Sequence, residues 1–124
     1  MVRGIRGAIT IDANTDKEIT EASSELIQVL IEQNQIDPDT VAQVLFTVTE
    51  DVTAAFPAKV LREFPGWSLV PVVCAQEIPV PGSLPMCIRV LITVNTEVKQ
   101  DQIAHAYLRD AIKLRPDLTL TNGQ

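Results

Sequence analysis

Arg89 stands inside the most apolar run of the chain, Cys87-Ile88-Arg89-Val90-Leu91-Ile92-Thr93-Val94. A guanidinium taken out of water without partners is costly, so an arginine in such a run should pair with an acid or face a ligand anion. Arg6 repeats the anomaly in Val2-Arg3-Gly4-Ile5-Arg6-Gly7-Ala8-Ile9-Thr10-Ile11. Strand alternation puts Ile5, Ile9 and Ile11 on one face and Gly4, Arg6, Ala8 and Thr10 on the other, where small neighbours leave room for a ligand. Glu77, Tyr107 and the Lys59/Arg62 pair are the remaining polar candidates. Each also has a plain structural use, as an ion-pair acid, a core ring or a solvated helix face. Together they suit an anionic small molecule that carries a hydroxyl.

Groups for covalent chemistry are missing from the pattern. There is no GxSxG elbow, and the sole histidine, His105, reads as a solvated helix residue. One histidine with the scattered cysteines Cys74 and Cys87 makes no metal-ligand set, so no metal is expected, and the cysteines read as reduced thiols. The glycines form neither GxGxxG nor a phosphate loop. A formal net charge of -6 argues against nucleic acid as a partner, so any anion site must be local. No run approaches the ~20 apolar residues of a membrane span. A soluble, cytoplasmic protein with no membrane partner is the expectation.

The elements that must carry these residues follow from periodicity and punctuation. A first strand runs from Val2 to Ile11. Thr15-Asp16-Lys17-Glu18 reads as a capping box for a helix that buries Ile19, Ser23, Leu26, Leu30, Ile27 and Ile31 and stops near Asn34. Val41 to Thr49 is a second strand, with Val44, Phe46 and Val48 facing one way. Phe56-Pro57 starts a short helix that ends at Pro65-Gly66 and puts Lys59 and Arg62 on one face. Trp67 to Ala75 reads as a third strand, and Pro71 marks it as an edge or a bulge. After a loop from Pro79 to Pro85 comes the Arg89 strand. A helix is then expected from Lys99 to Leu114, with Ile103, Tyr107, Ala111 and Leu114 on one side, His105 pointing away, and Pro116 as the stop. The order β-α-β-α-β-β-α in 124 residues indicates one α+β, or mixed α/β, domain over residues 1–116 and a short mobile tail over 117–124.

Six blocks, in order and spanning nearly the whole chain, carry a more specific signal. They are Arg3-Gly4-Ile5-Arg6-Gly7-Ala8, Phe56-Pro57-Ala58-Lys59, Gln76-Glu77, Cys87-Ile88-Arg89-Val90, Gln100-Asp101-Gln102-Ile103, and Tyr107-Leu108 with Leu114-Arg115-Pro116-Asp117-Leu118. This pattern resembles the monofunctional, trimeric α/β class of chorismate mutases, not the all-helical class. The resemblance implies a homotrimer shaped as a pseudo-α/β-barrel, with a mixed sheet inside, helices outside and active sites between subunits. It implies conversion of the chorismate dianion to prephenate, for phenylalanine and tyrosine biosynthesis, by a [3,3] rearrangement with no cofactor.

Carried over on that resemblance, Arg89 would donate to the ether oxygen as it gains charge. Arg6 and Tyr107 would hold a substrate carboxylate. Glu77, with Cys74 alongside, would accept from the ring hydroxyl and offset positive charge on the ring. Phe56, Ala58, Lys59, Arg62, Val72 and Val73 would form the opposing wall from a neighbouring subunit, while Leu114 and Arg115 close over the cleft. Val73 departs from a threonine familiar in the family. Two other readings use the same arginines: a non-catalytic trimeric binder of an aromatic-pathway acid, and an enamine-type hydrolase on a similar trimeric fold.

Overall fold

Strand alternation sets the architecture in the computed structural model, which describes residues 1–114. Five strands, β1 (Val2–Thr10), β2 (Val41–Val48), β3 (Val72–Gln76), β4 (Cys87–Asn95) and β5 (Ala106–Leu108), form one mixed sheet in the order β3-β2-β4-β1-β5. β4 is antiparallel to β1 and β2, whereas β5 joins β1 and β3 joins β2 in parallel. Ile5, Ile9, Val44, Phe46, Ile88, Val90 and Ile92 are all buried on one face. Each such side chain contributes about 1.5–3 kcal/mol through removal from water.

That face is covered by the helix α1 (Asp16–Asn34), which buries Ile19, Ala22, Ser23, Leu26, Ile27 and Leu30. The helix begins where expected: Thr15 Oγ1 accepts the Glu18 N–H at 3.1 Å. Glu18 returns its carboxylate not to Thr15 but to the N–H of Asp12, at 3.3 Å. Gly7 lets the helix lie close. A Cβ there would fall 2.8 Å from Leu30 Cδ1 and 2.9 Å from Leu26 Cδ1.

The mixed α+β class holds, but three elements differ from expectation. The Pro57–Glu63 segment is a 3-10 turn rather than an α-helix, and its period of three eclipses Lys59 and Arg62 even more closely. β3 starts at Val72, because Trp67 is buried in the core and the Val70 N–H closes a turn on Trp67 O at 3.1 Å. Pro71 nevertheless marked an edge correctly. The Lys99–Leu114 helix is absent. In its place are a 3-10 turn (Gln100–Gln102), β5 and a second 3-10 turn (Arg109–Leu114).

The helical spacing misled because Ile103 and Tyr107 serve opposite faces of the sheet. Ile103 joins the main core, whereas Tyr107 and Leu114 pack on a small cluster of Ala8, Cys87 and Ala111. The outer edge of β1 takes Ala106–Leu108 as its ladder partner, and this pairing overrides local periodicity. Arg109 then breaks the strand with a left-handed backbone, φ 54°. Arg115 and residues 117–124, where closure and a mobile tail are expected, lie outside the described residues. Among the described residues, no helix is long and apolar enough to cross a membrane.

Candidate active site

The second face of the sheet carries the polar candidates. Register aligns Thr47 with Arg89, Arg89 with Ala8, and Ala8 with Tyr107. One rung along, Leu45 faces Leu91 and Leu91 faces Arg6. Ala8 is small, so the strands leave a hollow between Arg89 and Tyr107. The resulting cleft, of about 240 Å³, is lined by Arg6, Thr47, Arg89, Leu91, Tyr107 and Leu114 among others.

Arg89 is not desolvated within this chain, contrary to the expectation from its apolar run. Ile88, Val90 and Ile92 point to the core, while Arg89 points to the uncovered face with 45% of its side chain exposed. Its Nε lies 3.1 Å from Glu77 Oε2, and Thr47 Oγ1 donates to the same oxygen at 2.7 Å. Glu77 is itself aimed by its N–H, which donates to Val48 O at 2.8 Å. The acid that pairs with Arg89 is therefore the one singled out in the sequence.

Loop polar groups hold the start of β4 two residues before Arg89. Met86 has a left-handed backbone, φ 53°, and its N–H donates to both carboxylate oxygens of Asp51 at 3.1 and 3.0 Å. The Cys87 N–H donates to Thr49 Oγ1 at 3.0 Å. Burial pushes the Cys87 thiol up to about 11, although the nearby Arg89 charge works the other way. Both cysteines are free.

Tyr107 is held from the far side. Arg109 donates to Thr10 O at 3.0 Å and to Glu25 Oε1 at 3.1 Å, and the Asp110 N–H donates to Thr10 Oγ1 at 3.1 Å. His105, expected on a solvated helix face, is instead half-buried before β5, where its Nδ1 accepts the Arg6 N–H at 2.9 Å. Thr47, Asp51, His105 and Arg109 were all missed as positioning groups. Only Thr47 had a sequence signal, its place two residues beyond Leu45 on the same strand face.

The remaining candidates meet in a second cleft, of about 510 Å³, between the Pro57–Glu63 turn and β3. Phe56, Ala58, Lys59 and Arg62 line one side, and Val72, Val73 and Cys74 the other. Cys74 is part of this wall. Lys59 is ion-paired with Asp16, and the bond from Lys59, with a second from Thr20, holds the Asp16 carboxyl below its usual range. Phe56 and Val73 are mostly exposed, at 74% and 64%. The two clefts are separate in one chain.

A roomier depression of about 530 Å³ lies elsewhere, at the C-terminal end of α1. Asp37 is its one charged lining residue, so it is unsuited to an anion. Among the described residues, no three His, Cys, Asp or Glu side chains gather closely enough to hold a metal ion.

The sequence pattern of the chorismate mutase type I family matches residues 2–118. The chain belongs to the type I chorismate mutase family. It is 50% identical to chorismate mutase AroH of Bacillus subtilis (strain 168) over 123 residues, 99% of this chain and 97% of that one. It is 52% identical to chorismate mutase AroH of Thermus thermophilus over 119 residues, 95% of this chain and 97% of the relative. Among solved structures, a chorismate mutase from Clostridium thermocellum superposes with a TM-score of 0.84 at 42% identity, covering 88% of this chain and 96% of that one. Membership of the type I family agrees with the five-stranded mixed sheet.

Proposed function

We propose that this protein converts chorismate to prephenate at the Arg6–Arg89–Tyr107 cleft. The observation that carries the reading is the convergence of two arginines and a tyrosine on one hollow, with Glu77 fixed on Arg89, in a chain of the type I chorismate mutase family.

The reaction breaks a C–O ether bond as a C–C bond forms within the same molecule, and no proton moves. Catalysis then consists of holding the compact conformer and stabilising charge as it separates. The Glu77 pair occupies Nε of Arg89, and the Nη1/Nη2 fork is the donor to the ether oxygen as negative charge grows there. Arg6 and Tyr107 bind a carboxylate. Arg89 and Thr47 both engage Oε2 of Glu77, which leaves Oε1 for the ring hydroxyl and the fixed charge for the positive ring fragment. Cys74 lies on the side of the second wall.

The assembly is a homotrimer. Its support is the split of the candidate residues between two clefts, together with the uncovered sheet face around Leu91 and Val73. Phe56, Ala58, Lys59, Arg62, Val72 and Val73 of one copy then face Arg89 of the next, across a barrel-like centre. Leu114 and Arg115 close the cleft, within a catalytic domain of residues 1–116 followed by a tail. A cytoplasmic location fits the free thiols of Cys74 and Cys87.

The test is the fall in chorismate absorbance with purified protein and chelator, without added nucleotide or metal. Catalytic turnover is the expected result. Unchanged chorismate at stoichiometric protein would overturn the reading, and tight binding of a bicyclic transition-state analogue without turnover would indicate the non-catalytic binder.

A further inference from the structure

The parallel ladder between β1 and β5 begins at Gly7 and Ala106, one residue beyond Arg6. The Arg6 N–H therefore sits just outside the last rung. Its acceptor is a side chain: His105 Nδ1, at 2.9 Å. An imidazole nitrogen that accepts must carry its lone pair there, so the neutral ring holds its proton on Nε2. The residue before the histidine is clamped as well. Asn34, the last residue of α1, accepts the Ala104 N–H at 2.9 Å and donates to Ala104 O at 2.9 Å, while also donating to Leu30 O at 3.0 Å.

We propose that His105, in its Nε2-protonated form and backed by the Asn34 clamp, is a positioning residue that sets Arg6 against Tyr107 for substrate binding. The imidazole extends the β1–β5 ladder by one bond where no main-chain carbonyl serves. It ties the backbone of one carboxylate-binding residue to the segment that carries the other, since Tyr107 follows His105 by two residues. The C-terminal end of α1 is thereby linked to the cleft on the opposite face of the sheet. The proposal rests on the reading of this cleft as the chorismate site. It adds a residue that touches no substrate.

The test compares His105→Ala, His105→Asn and His105→Gln in the intact oligomer by chorismate kinetics and thermal melting. Asparagine sets its Oδ1 where Nδ1 stands, whereas glutamine reaches toward the place of Nε2. His105→Ala should raise KM roughly tenfold with a smaller change in kcat, the loss of about one positioning hydrogen bond for a binding group. His105→Asn should stay within about twofold of wild type, and His105→Gln should resemble His105→Ala. Rescue by glutamine instead of asparagine overturns the proposal, as does an unchanged KM in His105→Ala. If the alanine variant fails to fold, the asparagine and glutamine variants still give the order. Imidazole nitrogen-15 shifts of the wild type should report an Nε2-protonated neutral ring. A proton on Nδ1 would overturn the assignment whether or not the protein turns over chorismate.

Discussion

Glu77 Oε2 lies 3.1 Å from Arg89 Nε in an ion pair and accepts from Thr47 Oγ1 at 2.7 Å, so one carboxylate oxygen joins two strands that line the cleft. The acid is the more enclosed partner, with 16% of its side chain exposed against 45% for the arginine. The carboxylate is therefore the fixed post and the guanidinium the arm aimed from it. A donor aimed in advance needs little reorganisation as charge develops, and such preorganised groups supply the largest electrostatic contributions to catalysis.

Arg89→Ala should lower kcat by a factor of several hundred, corresponding to about 3–4 kcal/mol of lost transition-state stabilisation. Arg89→Lys should recover little, since an ammonium cannot donate to Glu77 and to an ether oxygen through one planar fork. Steady-state kinetics on the folded protein decide the matter. A folded alanine variant within about tenfold of wild-type turnover would contradict the role.

On the proposed reading Glu77 serves as a fixed charge, because the rearrangement transfers no proton. Glu77→Gln keeps the shape and a hydrogen-bonding group but removes the charge, so it should depress kcat more than it weakens prephenate binding. Thr47→Val, which frees the same carboxylate oxygen, should show a smaller loss in the same direction. A large solvent isotope effect on the chemical step would refute the electrostatic role.

Arg89 and Arg62 line different clefts of one chain, so a shared site needs both from different copies. Inactive Arg89→Ala protein, mixed and reassembled with inactive Arg62→Ala protein, should regain activity that neither has alone. No recovery after subunit exchange, verified by native mass spectrometry, would count against shared sites. A monomer of undiminished activity would do the same.

Cys87 sets a pH dependence of stability. The thiol shifts from 9.0 to about 11 through burial, so the unfolded chain gives up this proton first as pH rises. Its contribution is intact below pH 9 and is lost between 9 and about 11. Urea melts across that range should fall more steeply for wild type than for Cys87→Ala. Equal slopes would show that the thiol titrates normally in the folded protein.

Where local chemistry decides an element, the sequence was readable: Thr15 caps α1, Pro57 starts a turn, and the alternation around Phe46 and Ile88 faces the core. Arg6 and Arg89 were visible because charged groups interrupt apolar strands, whereas Glu77 and Tyr107 stood out only as polar groups of complementary type on other segments. The Lys99–Leu114 segment was misread for a physical reason: a three-residue strand has too few alternations to outvote helical spacing, and its conformation depends on the vacant edge of β1 far away in sequence. His105 was misjudged with it, since only that pairing brings Nδ1 to the Arg6 N–H. Strand alternation could place Thr47 on a face but not beside Glu77, and Asp51 acts through loop closure, which no local pattern encodes.

The sheet order also governs when the protein can exist at all during its synthesis. β1 lies between β4 and β5, so its ladder partners, Cys87–Asn95 and Ala106–Leu108, leave the ribosome some eighty to a hundred residues after it. At about 5–20 residues per second, that wait lasts several seconds to tens of seconds. Through it, the strand has neither ladder neighbour, and only α1 is at hand to cover the face that carries Ile5 and Ile9. Folding is thus deferred to a late, concerted closure of low local order, the topology associated with slow folding and with a need for shelter from aggregation.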